Sequence, residues 1–352
     1  MKPFFASLTA LLLGVVVVFG QGIPRDPYNG AIVVDATTGD VLFEDGADRP
    51  GYPASMLKLM TLFVVLDRVE AGYLRLDEII PVTKEAMRMG GSQVWLDPRE
   101  SFPVDELLYA LIIQSANDAA ALLAQYVGGS MEGFVEMMNN KARELGLSPI
   151  TRFRTPHGLP PGAPNVRHDM TTPRDFAMLC KALLEAHPET LRYTSETRRE
   201  FRANAQPPFQ PMIMETHNHL LGKLPGCDGL KTGWIRASGY CIAVTAERND
   251  RRVIAVVMGS EKRATRDAKA SELINRWLPE AKPKSVAKPK PQPEPVQAVQ
   301  APEAADEAVE DEAADTPAAR RGGRRVVGWL LTVGLVAVLV GLGVRRHLLI
   351  SR

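Results

Sequence analysis

The chain has 352 residues, of which 45% are hydrophobic, so it can form a core of its own and is neither wholly disordered nor fibrous. Its 42 Lys and Arg residues nearly balance its 41 Asp and Glu residues, and the formal net charge of +1 creates no field that would attract nucleic acid. We therefore expect no nucleic-acid partner. The length suggests two domains at about 150 residues each, but both ends of the chain have the composition of membrane-related segments.

Residues 1–22 have the pattern of a secretory signal peptide. Lys2 supplies one positive charge, an apolar run covers residues 4–19, and small or polar residues follow. An uncleaved anchor helix is the alternative, although the run is shorter than the ~20 residues that span a bilayer. In either case the residues that follow are exported.

A longer apolar segment, residues 326–344, lies near the other end. It contains no charged residue and is long enough for a transmembrane helix, with arginines on both flanks. Because both flanks are basic, the signal peptide and not the positive-inside rule decides its orientation. We predict a single-pass membrane protein with residues 23–325 outside and a short cytoplasmic tail, residues 345–352.

Residues 280–325 have the composition of a disordered linker. Five prolines alternate mainly with lysines between residues 283 and 295, and seven acidic residues follow between residues 303 and 315. Polyproline geometry and charge repulsion extend such a chain. The segment is either a tether that lets a domain search near the membrane or a plain spacer.

The three cysteines, Cys180, Cys227 and Cys241, do not predict a disulfide framework. Their number is odd and their spacing matches no zinc ligand set. A bond between Cys227 and Cys241 across a hairpin is one alternative. We expect free, partly buried thiols.

Residues 23–279 form the folded domain. Strands are predicted at 31–35, 41–44, 229–234, 240–246 and 253–258, where short β-rich runs are bounded by turn residues. Helices are predicted at 55–71, 104–127 with an interruption, 131–145, 172–186 and 264–278. Because strands come first and last, we predict an α/β (α+β) fold, in which both chain ends build an antiparallel sheet and a helical region is inserted.

Ser55 and Lys58 form the first pattern that suggests chemistry. They are three residues apart at the start of an apolar helix, so the Lys58 amine comes within hydrogen-bonding reach of the Ser55 hydroxyl. A lysine in an apolar setting has a lowered pKa and can act as general base toward a serine nucleophile. The backbone N–H of Ser55 is a candidate oxyanion donor. Taken alone, the pair also fits an N-cap serine and a lysine whose amine reaches solvent.

Ser115 and Asn117 interrupt a second apolar helix. A hydroxyl and a carboxamide can project from such a junction, so Ser115 could relay a proton between Lys58 and a leaving amine. Asn117 could hold a peptide amide of a substrate. An ordinary capping turn is the alternative.

Lys231, Thr232 and Gly233 lie in a strand-like run near the end of the domain. A cation and a hydroxyl at a strand edge suit an anionic ligand, and Gly233 lets a substrate backbone approach closely. The backbone N–H of Trp234 is a second candidate oxyanion donor.

These three motifs in this order resemble the signature set of penicillin-binding proteins and class A β-lactamases. More closely, the chain resembles the low-molecular-weight D-alanyl-D-alanine carboxypeptidases, which are serine peptidases of the S11 type. The resemblance covers essentially all of residues 27–279. It is carried by the segments Pro53–Thr61, Leu111–Asp118, Thr155–Leu159, Pro225–Gly233 and Ile254–Gly259.

The resemblance implies a serine β-lactamase/DD-peptidase-like fold and a covalent mechanism without metal or cofactor. Ser55 would attack the carbonyl between the last two D-alanines of a peptidoglycan stem peptide, with Lys58 as base. Lys231 and Thr232 would bind the terminal carboxylate, and Ser115 would help to protonate the departing D-alanine. β-Lactam antibiotics would acylate the same serine. The enzyme would face the periplasm or cell wall from the bacterial inner membrane.

Two features depart from the family pattern or compete with this interpretation. Trp234 follows the K-T-G motif where many relatives have a smaller or polar residue, which leaves the substrate contacts there open. His217 and His219 could suggest a metal pair, but they lack a third ligand, so we expect loop residues that line the cleft. His157 also belongs to a matching segment, and no role follows from the sequence.

Three alternatives remain. A β-lactamase on the same fold would need fast deacylation, and residues 151–167 contain no Glu-x-x-x-Asn that would supply it. A DD-endopeptidase that cuts peptide cross-links has the same motifs. A non-catalytic peptidoglycan-binding protein could retain the fold, although all three motifs are intact.

Overall fold

The computed structural model describes residues 25–160, 162 and 167–284. The predicted signal peptide, the linker beyond residue 284, the predicted membrane helix at 326–344 and the tail lie outside the described residues. Within them, no helix is both long enough and apolar enough to cross a membrane.

The strands form the predicted antiparallel sheet. The nine strands of the described residues are β1 (Gly30–Asp35), β2 (Val41–Asp45), β3 (Ile79–Pro81), β4 (Ser101–Pro103), β5 (Arg198–Phe201), β6 (Met212–Glu215), β7 (Cys227–Ile235), β8 (Gly239–Arg248) and β9 (Arg251–Ser260). Five of them form one sheet in the order β2-β1-β9-β8-β7, and every neighbouring pair is antiparallel. The first hairpin therefore pairs with the last, as the sequence predicts.

Strand β9 is covered on both faces, which explains its nearly continuous hydrophobic sequence. Ile254 and Val256 pack into the core that the sheet shares with the inserted helices. Val253 and Val257 belong to a second core on the opposite face. Successive side chains of a strand alternate between faces, so this one strand joins both cores.

The helices also follow the prediction. In the described residues they are α1 (Lys58–Glu70), α2 (Lys84–Met87), α3 (Val104–Tyr109), α4 (Asn117–Gly128), α5 (Met131–Glu144), α6 (Pro173–Ala186), α7 (Thr190–Thr194) and α8 (Arg263–Trp277). Helix α1 is buried on all sides through residues 58–66, in agreement with its apolar sequence. Helix α8 covers the second face of the sheet, where Ala270, Leu273 and Ile274 join the core.

The predicted helix interruption lies between α3 and α4. Residues 110–114 continue α3 as a π-helical turn, and Ser115 then adopts a left-handed conformation with φ 60°. Such a conformation is uncommon for a residue other than glycine and is often found at functional sites. It turns the chain so that α4 begins at Asn117.

The sequence did not predict the two short hairpins β3–β4 and β5–β6 or helices α2 and α7. Each of these helices and strands has five residues or fewer, which is too short for a periodic pattern. The three cysteines are free, as expected. The alternative bond between Cys227 and Cys241 is wrong, because Cys227 lies opposite Ala246 and Cys241 lies opposite Gly233.

Candidate active site

Ser55 and Lys58 meet as the sequence predicts. Ser55 lies in a single 3-10 turn, residues Ala54–Leu57, directly before α1. The Lys58 Nζ atom donates a hydrogen bond to Ser55 Oγ over 3.1 Å. Lys58 has no exposed surface. The first motif is therefore a buried amine against a serine hydroxyl and not a lysine that reaches solvent.

Two further acceptors hold the Lys58 amine in place. Its Nζ donates to Asn117 Oδ1 and to the backbone carbonyl of His157, each over 2.7 Å. Both partners can only accept, so they take the two N–H groups of a neutral amine. When the amine is neutral, its lone pair accepts a hydrogen bond from the Ser55 hydroxyl, which reverses the bond that the ammonium form donates. This arrangement places the lone pair where a general base needs it in order to take the Ser55 proton.

The electrostatic surroundings favour that neutral form. Burial lowers the pKa of Lys58 well below its ordinary value, and the nearby Lys231 cation lowers it further, against the opposing charges of Asp118 and Asp169. Asp118 is itself buried, and the backbone N–H groups of Val94 and Leu96 donate to its carboxylate.

Asn117 is a positioning residue in this structure. Its Oδ1 accepts from Lys58, and its Nδ2 donates to the carbonyl of Gly90 over 2.7 Å. The Nδ2 group has a second N–H with no partner among the described residues, so the prediction that Asn117 holds a substrate amide stays a prediction. The side chain links α4 to the lysine.

Ser115 brings an unused hydroxyl to the same place. Its Oγ atom is buried and has no hydrogen-bond partner among the described residues. A buried hydroxyl without a partner costs free energy and often marks a functional group. Lys58 bonds to Asn117 and not to Ser115, so any relay through Ser115 needs a bound substrate or water between the two.

Lys231 and Gly233 bring β7 against the serine turn. Lys231 is buried, and its Nζ donates to the carbonyl of Thr232 over 3.2 Å. Burial, and then the charge of Arg266, lowers the pKa of Lys231 to about 7. A Cβ atom on Gly233 would lie 2.4 Å from the carbonyl oxygen of Pro53. The strand can approach the nucleophile this closely because residue 233 is glycine.

Replacing Gly233 with alanine is expected to separate β7 from the serine turn. The new methyl group would also meet the Met56 nitrogen at 2.9 Å, and neither backbone atom can move cheaply. We expect a loss of about 1–3 kcal/mol in the free energy of unfolding, as for overpacked cores. Gly90→Ala is the control, because open space surrounds that position. Equal unfolding midpoints for the two variants would contradict this interpretation.

The motifs open into one cleft of about 310 Å³. Its lining contains basic and neutral residues and no carboxylate. The described residues that line it are Ser55, Ser92, Ser115, His217, His219, Thr232, Gly233, Trp234, Tyr240, Arg263 and Arg266. A cleft with this lining suits an anionic ligand.

Arg266 is a candidate site residue that no sequence pattern indicated. Its guanidinium is buried, donates to Asp267 Oδ1 and to the carbonyl of Cys241, and faces the cleft beside Thr232. The sequence shows only that Arg266 is a basic residue in the first turn of a helix that follows a strand. The burial that gives this cation its importance depends on packing between α8 and β8.

His217 and His219 line the cleft, as predicted for loop residues. Neither takes part in a cluster of three possible metal ligands. The one such cluster among the described residues is Asp67, Glu70 and His187, which does not line the cleft. Lys141 Nζ already lies 2.8 Å from Asp67 Oδ2 in that cluster.

Comparisons with known proteins agree with this geometry. The family described as D-alanyl-D-alanine carboxypeptidase matches residues 27–262. The chain is 33% identical to D-alanyl-D-alanine carboxypeptidase DacF of Bacillus subtilis over 245 residues, which are 70% of this chain and 60% of that protein. It is 35% identical to D-alanyl-D-alanine carboxypeptidase DacC of Escherichia coli over 249 residues, or 69% and 59% of the two chains.

A solved structure confirms the predicted fold. Penicillin-binding protein D2 of Listeria monocytogenes, in its ampicillin-bound form, superposes with a TM-score of 0.63 at 32% identity and covers 71% of this chain and 96% of its own. The chain spans about 60% of the length of the two curated relatives named above. The mixed α/β fold is that of the DD-peptidases, and the chain belongs to the D-alanyl-D-alanine carboxypeptidase family, peptidase family S11.

Proposed function

We propose that the protein is a serine-type D-Ala-D-Ala carboxypeptidase that removes the terminal D-alanine from peptidoglycan stem pentapeptides. One observation carries the proposal: the Lys58 amine lies 3.1 Å from Ser55 Oγ and is held there by two groups that can only accept. A base fixed against a hydroxyl by acceptors alone activates that hydroxyl as a nucleophile.

Acylation follows from this geometry. The Ser55 hydroxyl gives its proton to Lys58, and Oγ attacks the carbonyl carbon of the penultimate residue. The backbone N–H groups of Ser55 and Trp234 are proposed to stabilise the oxyanion. The C–N bond then breaks, the leaving nitrogen takes a proton by way of Ser115, and D-alanine departs. Water hydrolyses the ester and frees Ser55.

Recognition depends on the carboxylate at the end of the peptide. Thr232 and Arg266 line the cleft and would supply a hydroxyl and a cation, and the buried Lys231, whose Nζ donates to the Thr232 carbonyl, would supply a second cation. Since the Lys231 pKa is lowered to about 7 without ligand, a bound carboxylate must raise it again by favouring the charged form. Part of the binding free energy is therefore linked to proton uptake.

This linkage predicts a pH effect. Above about pH 7 the free enzyme loses the Lys231 proton, so kcat/KM for a peptide ending in D-Ala-D-Ala should fall. A Lys231→Arg variant should lack this decline, because a guanidinium stays protonated throughout the range. Its activity at pH 6 serves as the internal reference. An equally steep decline in the variant would show that another group controls the alkaline limb.

β-Lactams are the proposed covalent inhibitors, because their strained amide imitates the scissile peptide. The solved relative from Listeria holds ampicillin. We expect a penicilloyl ester on Ser55 that hydrolyses slowly, since no Glu-x-x-x-Asn is present in residues 151–167 to activate water. Rapid turnover of nitrocefin would favour a β-lactamase instead.

Mass analysis of the products tests the proposed function. The purified protein is incubated with a stem pentapeptide and, separately, with a cross-linked peptide dimer. Loss of one alanine from the pentapeptide is the expected result. Release of monomers from the dimer without any trimming of the pentapeptide would identify an endopeptidase. No reaction and no penicillin adduct would favour a non-catalytic binding protein.

We also propose that the enzyme works at the outer face of the bacterial inner membrane. The sequence supports export by residues 1–22, a catalytic domain at 23–279, a linker at 280–325 and an anchor at 326–344 with a cytoplasmic tail. A chain ending at residue 325 should appear in the soluble periplasmic fraction, and the full chain in the membrane fraction. Equal distribution of both would overturn the anchor.

A further inference from the structure

One wall of the cleft belongs to a segment without helix or strand. This segment, residues 90–96, contributes Ser92 to the cleft lining. Its carbonyls accept two hydrogen bonds from Asn117: the Nδ2 atom donates to Gly90 over 2.7 Å, and the backbone N–H donates to Ser92 over 2.8 Å. The position of the carboxamide that accepts from Lys58 therefore depends on the position of the 90–96 segment.

The 90–96 segment also binds the residue that follows Asn117. The N–H groups of Val94 and Leu96 donate to the buried carboxylate of Asp118 over 3.2 Å and 3.1 Å. Because the segment pairs with no strand and forms no helical turn, its remaining backbone groups need partners elsewhere in the protein.

Arg202 binds the carbonyls of this segment. It directly follows β5, and its Nη1 and Nη2 atoms donate to the carbonyls of Val94 and Trp95. The same guanidinium donates from Nε and Nη2 to the two carboxylate oxygens of Glu100, and both side chains are less than a tenth exposed. A planar guanidinium has five N–H groups in a fixed fork, so one side chain can bind a carboxylate and two carbonyls at once.

The backbone at this contact has an unusual conformation. Arg202 and Trp95 both have a left-handed φ, of 61° and 58°. Such a φ is uncommon for residues with large side chains, persists only where the surroundings fix it, and often accompanies a functional role. Here Glu106 of α3 accepts from the Arg202 N–H over 2.8 Å, and the guanidinium lies over the rings of Phe102 and Phe201. The protein therefore keeps two strained residues in contact.

We propose that Arg202 is a positioning residue for the acylation of Ser55. It fixes the 90–96 segment, and this segment fixes Asn117, the acceptor that holds the Lys58 amine. Arg202 does not line the cleft, so it acts through these other residues. The proposal rests on the function proposed above and adds the β5–β6 hairpin to the parts of the fold on which the reaction depends.

An Arg202→Lys variant tests this fork of hydrogen bonds. The substitution keeps a cation beside Glu100, but one amine cannot bind two carbonyls and both carboxylate oxygens. We expect the second-order rate constant for the penicillin adduct of the full-length protein to fall about 10- to 100-fold, as for a displaced reactive group. Arg252→Lys is the matched control, because Arg252 is equally buried, binds the carboxylates of Asp228 and Glu247, and does not line the cleft. Its rate constant should equal that of the parent.

A second substitution distinguishes positioning from a general loss of structure. If Arg202 acts through Asn117, Arg202→Lys should lower the rate in the parent and have no further effect in an Asn117→Ala background. A general loss of folded protein would lower the rate by the same factor in both backgrounds. Labelling is followed from seconds to days, so that the slow background is still measured. If Arg202→Lys does not fold, Glu100→Gln, which weakens the fork from the other side, takes its place in the same comparison.

The outcomes separate this proposal from the proposed function. If the parent forms the adduct and Arg202→Lys forms it as fast as Arg252→Lys does, the positioning role is overturned and the carboxypeptidase stands. Equal rate losses in the parent and Asn117→Ala backgrounds would also overturn it. If the parent forms no adduct and trims no pentapeptide, the proposed function fails, and the positioning role fails with it.

Discussion

A Ser55→Ala variant is expected to form no adduct with a fluorescent penicillin and to lose on the order of 10⁶-fold of its peptidase activity, as nucleophile variants of serine peptidases do. A methyl group cannot form the ester. The site should otherwise persist, because Lys58 keeps its bonds to Asn117 and to the His157 carbonyl. Labelling and product analysis by mass measure the two losses.

The stability of this variant is its control. Ser55 is partly exposed, and its hydroxyl accepts from Lys58 alone among the described residues, so the unfolding midpoint should stay close to that of the parent. A labelled Ser55→Ala protein would show that another nucleophile is acylated. Ser115 would then be the first candidate, since its hydroxyl lines the same cleft.

Replacing Lys58 tests whether the neutral amine, and not merely a charge, activates the serine. Lys58→Arg keeps a cation that stays protonated, and Lys58→Met removes the charge and retains an unbranched chain. Both variants should acylate about 10²- to 10⁴-fold more slowly, the range that general bases contribute. The rate of penicilloyl formation between pH 5 and pH 10 is the measurement.

The change of the acylation rate with pH has an expected direction. In the parent, acylation should accelerate as pH rises through the lowered pKa of Lys58, because the base is active only after it loses its proton. Neither variant has an amine at residue 58 that can lose its proton in this range, so that rise should be missing. Lys58→Met also leaves two buried acceptors without a donor, at a cost of about 1–3 kcal/mol in stability. A Lys58→Arg protein within tenfold of the parent rate would exclude the proposed base.

The parts of the site that lie within one turn of the chain could be predicted from the sequence. Ser55 and Lys58 are three residues apart on one helix, so local geometry alone brings them together. The break at Ser115 and Asn117 was visible as polar residues in an apolar helix. The sheet could be predicted because its long strands carry β-rich patterns bounded by turns.

The parts that depend on packing could not be predicted. A backbone carbonyl has no signature in the sequence. The role of His157 as an acceptor for Lys58 therefore follows only from the packing of its loop against α1. The contact between Asn117 and the carbonyl of Gly90 could not be predicted for the same reason. Arg266 is one of many basic residues in the sequence, and its burial distinguishes it.

The pairing of β1 with β9 has a consequence for the biogenesis of the enzyme. Ala31 lies opposite Val257, so the central strand pair joins residues from nearly opposite ends of the domain. Contacts between residues this far apart in the sequence form slowly during folding. If the chain is exported from its N-terminus, as proposed above, Ser55 crosses the membrane before β9 does. Under the proposed export, the candidate active site would therefore assemble only after the whole domain has crossed the membrane.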